Sequence, residues 1–182
     1  MHPLKFALWL FIVAIIMFFA AFTSAYIVRQ AEGNWLIFEL PKVLWLSSLV
    51  ILISSATMHW AYLSAKKDKI TNLKIAIITT FLLGMLFLYL QFEAWKALVA
   101  DGVFFAGKDA NPSGSFLYVL TGLHGLHLIS GLIYLGIVLW ATFAGLVHQK
   151  RLLRIEMCAV YWHFLGLLWI YLFVFLLINH AN

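Results

Sequence analysis

The sequence predicts an all-α membrane bundle with five transmembrane helices, and three observations carry that prediction. Hydrophobic residues make up 65% of the 182-residue chain and charged residues 10%, with a mean hydropathy of +1.00. A soluble domain is roughly half apolar and a quarter charged. Five runs reach the length of about 20 apolar residues that a helix needs to cross the hydrocarbon core. Helices rather than strands follow, because an unclosed strand would leave backbone groups unpaired in lipid.

The first span covers about residues 4–28 ("LKFALWLFIVAIIMFFAAFTSAYIV"). Its apolar core exceeds the 7 to 15 residues of a signal-peptide core. Only "TSA" hints at a cleavage site, so the segment reads as a retained span. The second covers about 41–65, with Pro41 where the first turn of a helix accepts proline. The third covers about 73–99, the fourth about 115–147 and the fifth about 155–179. A helix of about 33 residues is about 50 Å long, so the fourth must tilt or protrude. The longest external segment, "ADGVFFAGKDANPSG" at 100–114, has the composition of an irregular loop and cannot form a core. With no repeat between halves, residues 1–182 read as a single membrane domain.

Basic residues flanking the spans are retained on the cytoplasmic side. The face shared by the N-terminus, the second loop and the fourth loop holds Lys5, Lys66, Lys67, Lys69, Lys74, Lys150, Arg151 and Arg154, eight of the twelve Lys and Arg residues. The opposite face holds Arg29, Lys42, Lys96 and Lys108 among five acids. The expectation is a cytoplasmic N-terminus and an external C-terminus. Lys66, Lys67, Lys69, Lys150, Arg151 and Arg154 are read as orientation and lipid head-group residues. That placement accounts for the net charge of +5 and the pI near 9.4 without a nucleic-acid partner.

The single cysteine, Cys158, lies inside the fifth span and reads as a small core residue. The fourth span carries the less ordinary chemistry. Intramembrane polar groups are expensive and turn toward partners, and His124, His127, Ser130 and Tyr134 follow one another in steps of three, three and four. Gly122, Gly125, Gly131 and Gly136 flank them and are expected to admit a neighbouring helix closely. A bis-imidazole haem would need a second ligand from elsewhere, such as His163 or His59, and the Glu-x-x-His pair of di-iron bundles is missing. Hydrogen-bonded packing is the favoured reading. In the fifth span two readings of Glu156 stand side by side. It is either a first-turn acid beside Arg154 complementing the helix dipole, or a membrane-edge carboxylate paired with His163 two turns on.

"TGLHGLH" at 121–127, followed after a short basic loop by Glu156, "YWHF" at 161–164 and Trp169, resembles subunit III of the haem-copper cytochrome c oxidases. "MFFAAFTSAY" at 17–26, "LQFEAW" at 90–95 and "DGVF" from Asp101 extend the resemblance over essentially the whole chain. It implies the five-helix bacterial form of a non-catalytic membrane subunit in the bacterial cytoplasmic (inner) membrane. Such a subunit supports assembly, stability, lipid binding and sustained proton uptake by catalytic subunit I. It also implies no haem or copper on this chain, both lying in partner subunits, with subunits I and II and membrane phospholipid as partners and a larger respiratory supercomplex as a further one. Gly122, Gly125, His124, His127, Glu156, Trp162 and His163 match the family's motifs and carry over as structural or lipid-contacting residues. Two positions depart: Ile15 stands where many members have a glutamate, and Gly166 where an acid often follows "WHF". Subunit III of a quinol oxidase is the alternative, with a free-standing b-type haem protein or a small transporter further behind.

Overall fold

The computed structural model describes residues 3–107, 110–144 and 150–180, with the side chains of Lys150 and Arg151 outside the described set. Lys108 and Asp109, counted above for the charge balance, also lie outside it. Five helices run along the chain: α1 (Pro3–Ala31), α2 (Val43–Lys66), α3 (Ile70–Ala100), α4 (Pro112–Phe143) and α5 (Lys150–His180). All five contain a stretch long and apolar enough to cross a membrane, and the described residues contain no strand.

The helices alternate in direction. Lys5 at the start of α1 meets Glu156 near the start of α5, while Tyr26 near the end of α1 meets His180 at the end of α5. Lys74, in the second turn of α3, sits over the ring of Phe143 at the end of α4. One end of the bundle therefore gathers the start of α1, the α2–α3 turn, the end of α4 and the start of α5.

Two boundaries differ from expectation. Pro41 precedes α2 instead of entering it, and its carbonyl accepts Leu44 N–H in the turn that leads into the helix. Proline at the first helical position occurs instead in α4, at Pro112, where Asn111 caps the helix by accepting Ser113 N–H at 3.1 Å. Asn111 also accepts Leu36 N–H and donates to the Asn34 carbonyl, so one cap ties the α1–α2 loop to the start of α4. The α2–α3 turn closes through Lys69 N–H on the Ser64 carbonyl, with Asp68 at φ 50°.

Packing follows an uneven pattern. The α2–α3 pair has the most extensive contact and α5 lies against α2, α4 and α1, whereas among the described residues α1 packs only on the helices α4 and α5. Lipid tails are as apolar as leucine, so small residues and interhelical hydrogen bonds, not hydrophobic exclusion, must hold such helices together. Trp162 of α5 concentrates both. Its indole N–H donates to Ser54 Oγ on α2 at 3.1 Å. Its ring occupies the space a side chain would need at Gly84 of α3, where an added Cβ would fall 2.7 Å from a ring carbon, and lies in ordinary contact at Gly131 of α4, where Leu165 of α5 would come within 2.9 Å of such a Cβ. Among the expected close-approach glycines only Gly131 fits that role. At Gly122, Gly125 and Gly136 the nearest atoms would stand 3.6 to 4.0 Å away, an ordinary contact.

Gly84→Ala is expected to lower stability by about 1–3 kcal/mol through overpacking against Trp162. Gly125→Ala is expected to be neutral or to stabilise by up to about 1 kcal/mol through helix propensity. Thermal midpoints of the two variants in detergent check the order.

Candidate functional site

The polar side chains inside the bundle form a ladder on α2. Serine hydroxyls at 47 and 48 donate to the Leu44 carbonyl of their own helix, which leaves their lone pairs free for other helices. Ser47 accepts Gln91 Nε2 of α3 at 3.0 Å, Ser48 accepts Trp169 Nε1 of α5 at 2.9 Å, and Ser54 accepts Trp162. The next residue, Ser55, meets His163 Nδ1, and Thr57, nearly a turn beyond Ser54, meets Thr80 of α3 at 2.8 Å. Trp162 and His163 thus sit side by side on α5 and both reach α2. The ladder was not read from the sequence, where the serines pass as small residues. The signal was there in Ser47, Ser48, Ser54 and Ser55, two pairs spaced seven apart, which returns them to one helix face.

The fourth helix divides its stripe. His127, Ser130 and Tyr134 keep to one side: Ser130 donates to the His127 carbonyl at 2.6 Å and contacts the Tyr161 hydroxyl at 2.8 Å, and Tyr134 donates to the Arg154 carbonyl at 3.3 Å. The His127 ring bonds the Leu123 carbonyl through Nδ1 at 2.7 Å and packs edge-on to Phe19 of α1, 5.7 Å between centroids. His124 does not share that face. At about 100° per residue it lies about 120° around the helix from Ser130, and it points inward between Phe87 and Trp169, at 5.9 and 5.2 Å. It is fully buried, and neither ring nitrogen has a hydrogen-bond partner among the described residues. The expectation of a hydrogen-bonded histidine is therefore corrected for His124 and kept for His127.

Glu156 departs from both readings. It is the seventh residue of α5, beyond the first turn, and it lies two turns, about 10 Å, from His163. Its carboxylate accepts Lys5 Nζ at 2.7 Å, both side chains being about a third exposed, so the pair fastens the start of α1 to α5. Ile15 is buried in the core, Cys158 is buried, and Gly166 faces Ile51, 3.9 Å from where its Cβ would be. Both family acid positions are thus apolar sites in this chain. Lys66, Lys67, Lys69 and Arg154 are exposed at the shared end of the bundle, with Lys66 over the ring of Tyr62.

Gly122 and Gly125 line an open groove of about 580 Å³ between α3 and α4, beside Leu88, Trp95 and Leu126. Trp95 closes one side by donating its indole N–H to Thr121 at 3.0 Å. Among the described residues no three His, Cys, Asp or Glu side chains converge as metal ligands would.

The family model for cytochrome c oxidase subunit III matches residues 1–180. The chain belongs to that family. It is similar to the cytochrome bo(3) ubiquinol oxidase subunit 3 of Pseudomonas aeruginosa, 31% identical over 92% of this chain and 81% of that protein. The ubiquinol oxidase subunit 3 of Buchnera aphidicola subsp. Schizaphis graminum is 27% identical over 96% of this chain and 93% of its own length. A probable cytochrome c oxidase subunit 3 of Rickettsia bellii is 28% identical over 97% of this chain and 69% of its own. With five apolar helices and that membership, the subunit III chain is a multi-pass membrane protein.

Two outcomes follow from the histidine and the ion pair. His124→Leu is expected to leave the thermal midpoint in detergent unchanged or raised, because it removes unpartnered polar atoms whose burial costs about 1–3 kcal/mol. His124→Ala, which opens a cavity, is expected to lose about 2–5 kcal/mol. Glu156→Gln is expected to cost up to about 1 kcal/mol, and the exchanged pair Lys5→Glu with Glu156→Lys to recover most of it; a double-mutant cycle measures both.

Proposed function

We propose that the chain is the non-catalytic subunit III of a terminal cytochrome c oxidase, supporting the assembly, stability and sustained proton uptake of a catalytic subunit that carries the haem and copper. The family match over residues 1–180 carries the reading. The chemistry of the bundle supports it. Apart from Lys5–Glu156 the interhelical side-chain bonds among the described residues join neutral groups, and the ion pairs Lys5–Glu156 and Glu93–Lys96 stand toward helix ends. That composition suits a scaffold, and proton transfer and oxygen reduction belong to the partner.

In this reading subunits I and II are the protein partners, within the bacterial inner membrane, and a larger respiratory assembly is a further setting. The basic end of the bundle is cytoplasmic, where Lys66, Lys67, Lys69 and Arg154 face anionic head groups. Phospholipid acyl chains fill the groove at Gly122 and Gly125, whose missing side chains leave it open. A second reading, subunit III of a quinol oxidase, is favoured by length, since the alignment takes in 81 to 93% of the two ubiquinol oxidase relatives above.

Purification of the tagged chain from its native membrane in mild detergent is expected to recover a large haem-bearing subunit with a reduced-minus-oxidised spectrum. Stripping this chain from the complex is expected to take none of the haem with it. Haem retained by the isolated chain would overturn the reading. Turnover of the recovered complex with reduced cytochrome c or with quinol decides between the two donors.

A further inference from the structure

One ionisable pair stands where a membrane helix should be apolar. His59 lies on the exposed side of α2, in a stripe with Leu49, Leu52, Ala56 and Leu63. His163 of α5 is half-buried beside it, 6.0 Å between ring centroids, with its Nδ1 on Ser55. Among the described residues His59 has ring contacts with Tyr62 and His163 and no hydrogen bond. Among the described residues His163 has no second hydrogen bond beside the one through Nδ1.

The surrounding surface is concave. α1 and α2 both pack on α5 and share no contact with each other among the described residues. Between them α5 exposes Leu167, at 70%, and Tyr171, and a hollow of about 420 Å³ separates Leu167 and Tyr171 from Ile16 and Ala20 of α1. The hollow is lined by α1 and α5, and α2 with His59 packs on α5 at His163.

Depth decides what covers it. His59 is seven residues inside Lys66, and His163 seven residues inside Glu156, about 10 Å in each case. A phospholipid seated here would hold its head group at the level of Lys66 and Glu156 and lay only acyl chain against the imidazoles. Acyl chain offers no acceptor, and an unsatisfied polar group in hydrocarbon costs several kcal/mol. A transmembrane helix carries polar side chains at any depth.

We propose that this exposed face of α5, beside α1 and α2, seats one transmembrane helix of the catalytic subunit, which presents a hydrogen-bonding group to His59 and His163. The proposal rests on the accessory-subunit reading and adds the docking face and the polar contact that sets its register.

The test places a photoactivatable diazirine amino acid at Leu167, or at Ile133 on the exposed face of α4, in the full chain in native membranes. Leu167 is expected to yield an adduct with the haem-bearing subunit and Ile133 is not. If the haem-bearing subunit co-purifies but Leu167 labels only lipid, or a second copy of this chain, the docking face is overturned while the accessory reading stands. If no haem-bearing subunit co-purifies with the unmodified chain, the accessory reading itself fails. His59→Leu is expected to reduce retention of the complex on dilution in detergent by about tenfold, and His59→Gln, which keeps a donor, to restore part of it. Unchanged retention in His59→Leu would overturn the polar contact.

Discussion

The indole of Trp162 is the contact on which the bundle depends. In water, apolar faces find each other without help; among lipid tails they gain nothing by doing so, and a membrane fold needs shape and hydrogen bonds to choose one arrangement. Trp162 supplies both at a point where four helices meet. It bonds Ser54 of α2, fills the space left by Gly84 of α3 and lies against Gly131 of α4. Trp169, two turns on, repeats the bond to α2 at Ser48 and adds a ring contact to Phe87. The tryptophans of α5 act as spacers of fixed size with a donor at one end, and α2 answers with hydroxyls at matching heights.

Hydropathy made the five helices legible in the sequence, because length and apolarity alone decide whether a segment can span lipid. The helix ends were less legible. Pro41 looked like a first-turn residue, but Pro112 with its Asn111 cap has that role, since a cap requires a side chain that reaches back to the backbone. Orientation within the bundle was hardest to read. Steps of three made His124 and His127 look like one face, yet the accumulated rotation sends His124 into the α3–α5 interior and His127 toward α1. Glu156 finds its partner in Lys5, 151 residues away, a pairing that no local pattern encodes. The family motifs were legible as a resemblance, but the reason for them was not. "YWHF" is a statement about α2, whose serines seem unremarkable until the indole and imidazole are seen resting on them.

The serine, threonine and tryptophan pairs on α2 are satisfied within the described residues and give the bundle its register, whereas His124, like Trp35 Nε1 and Gln91 Oε1, has no partner there. His124 is held by two aromatic rings and serves as volume, a flat neutral side chain in a slot between Phe87 and Trp169. Where the family's acids would stand, Ile15 and Gly166 are apolar or absent, and the interior keeps to neutral hydrogen bonds.

The attachment of α1 bears on how the chain is built. α1 precedes α2 and α3 in the chain, yet among the described residues its helix contacts are with α4 and α5, and its ion pair to another helix waits for Glu156. The α2–α3 hairpin has no such dependence, since its two helices follow each other and share the largest contact. During insertion α1 therefore waits in the bilayer until α4 and α5 follow the α2–α3 hairpin. Closing the Lys5–Glu156 contact joins the first of the five helices to the fifth.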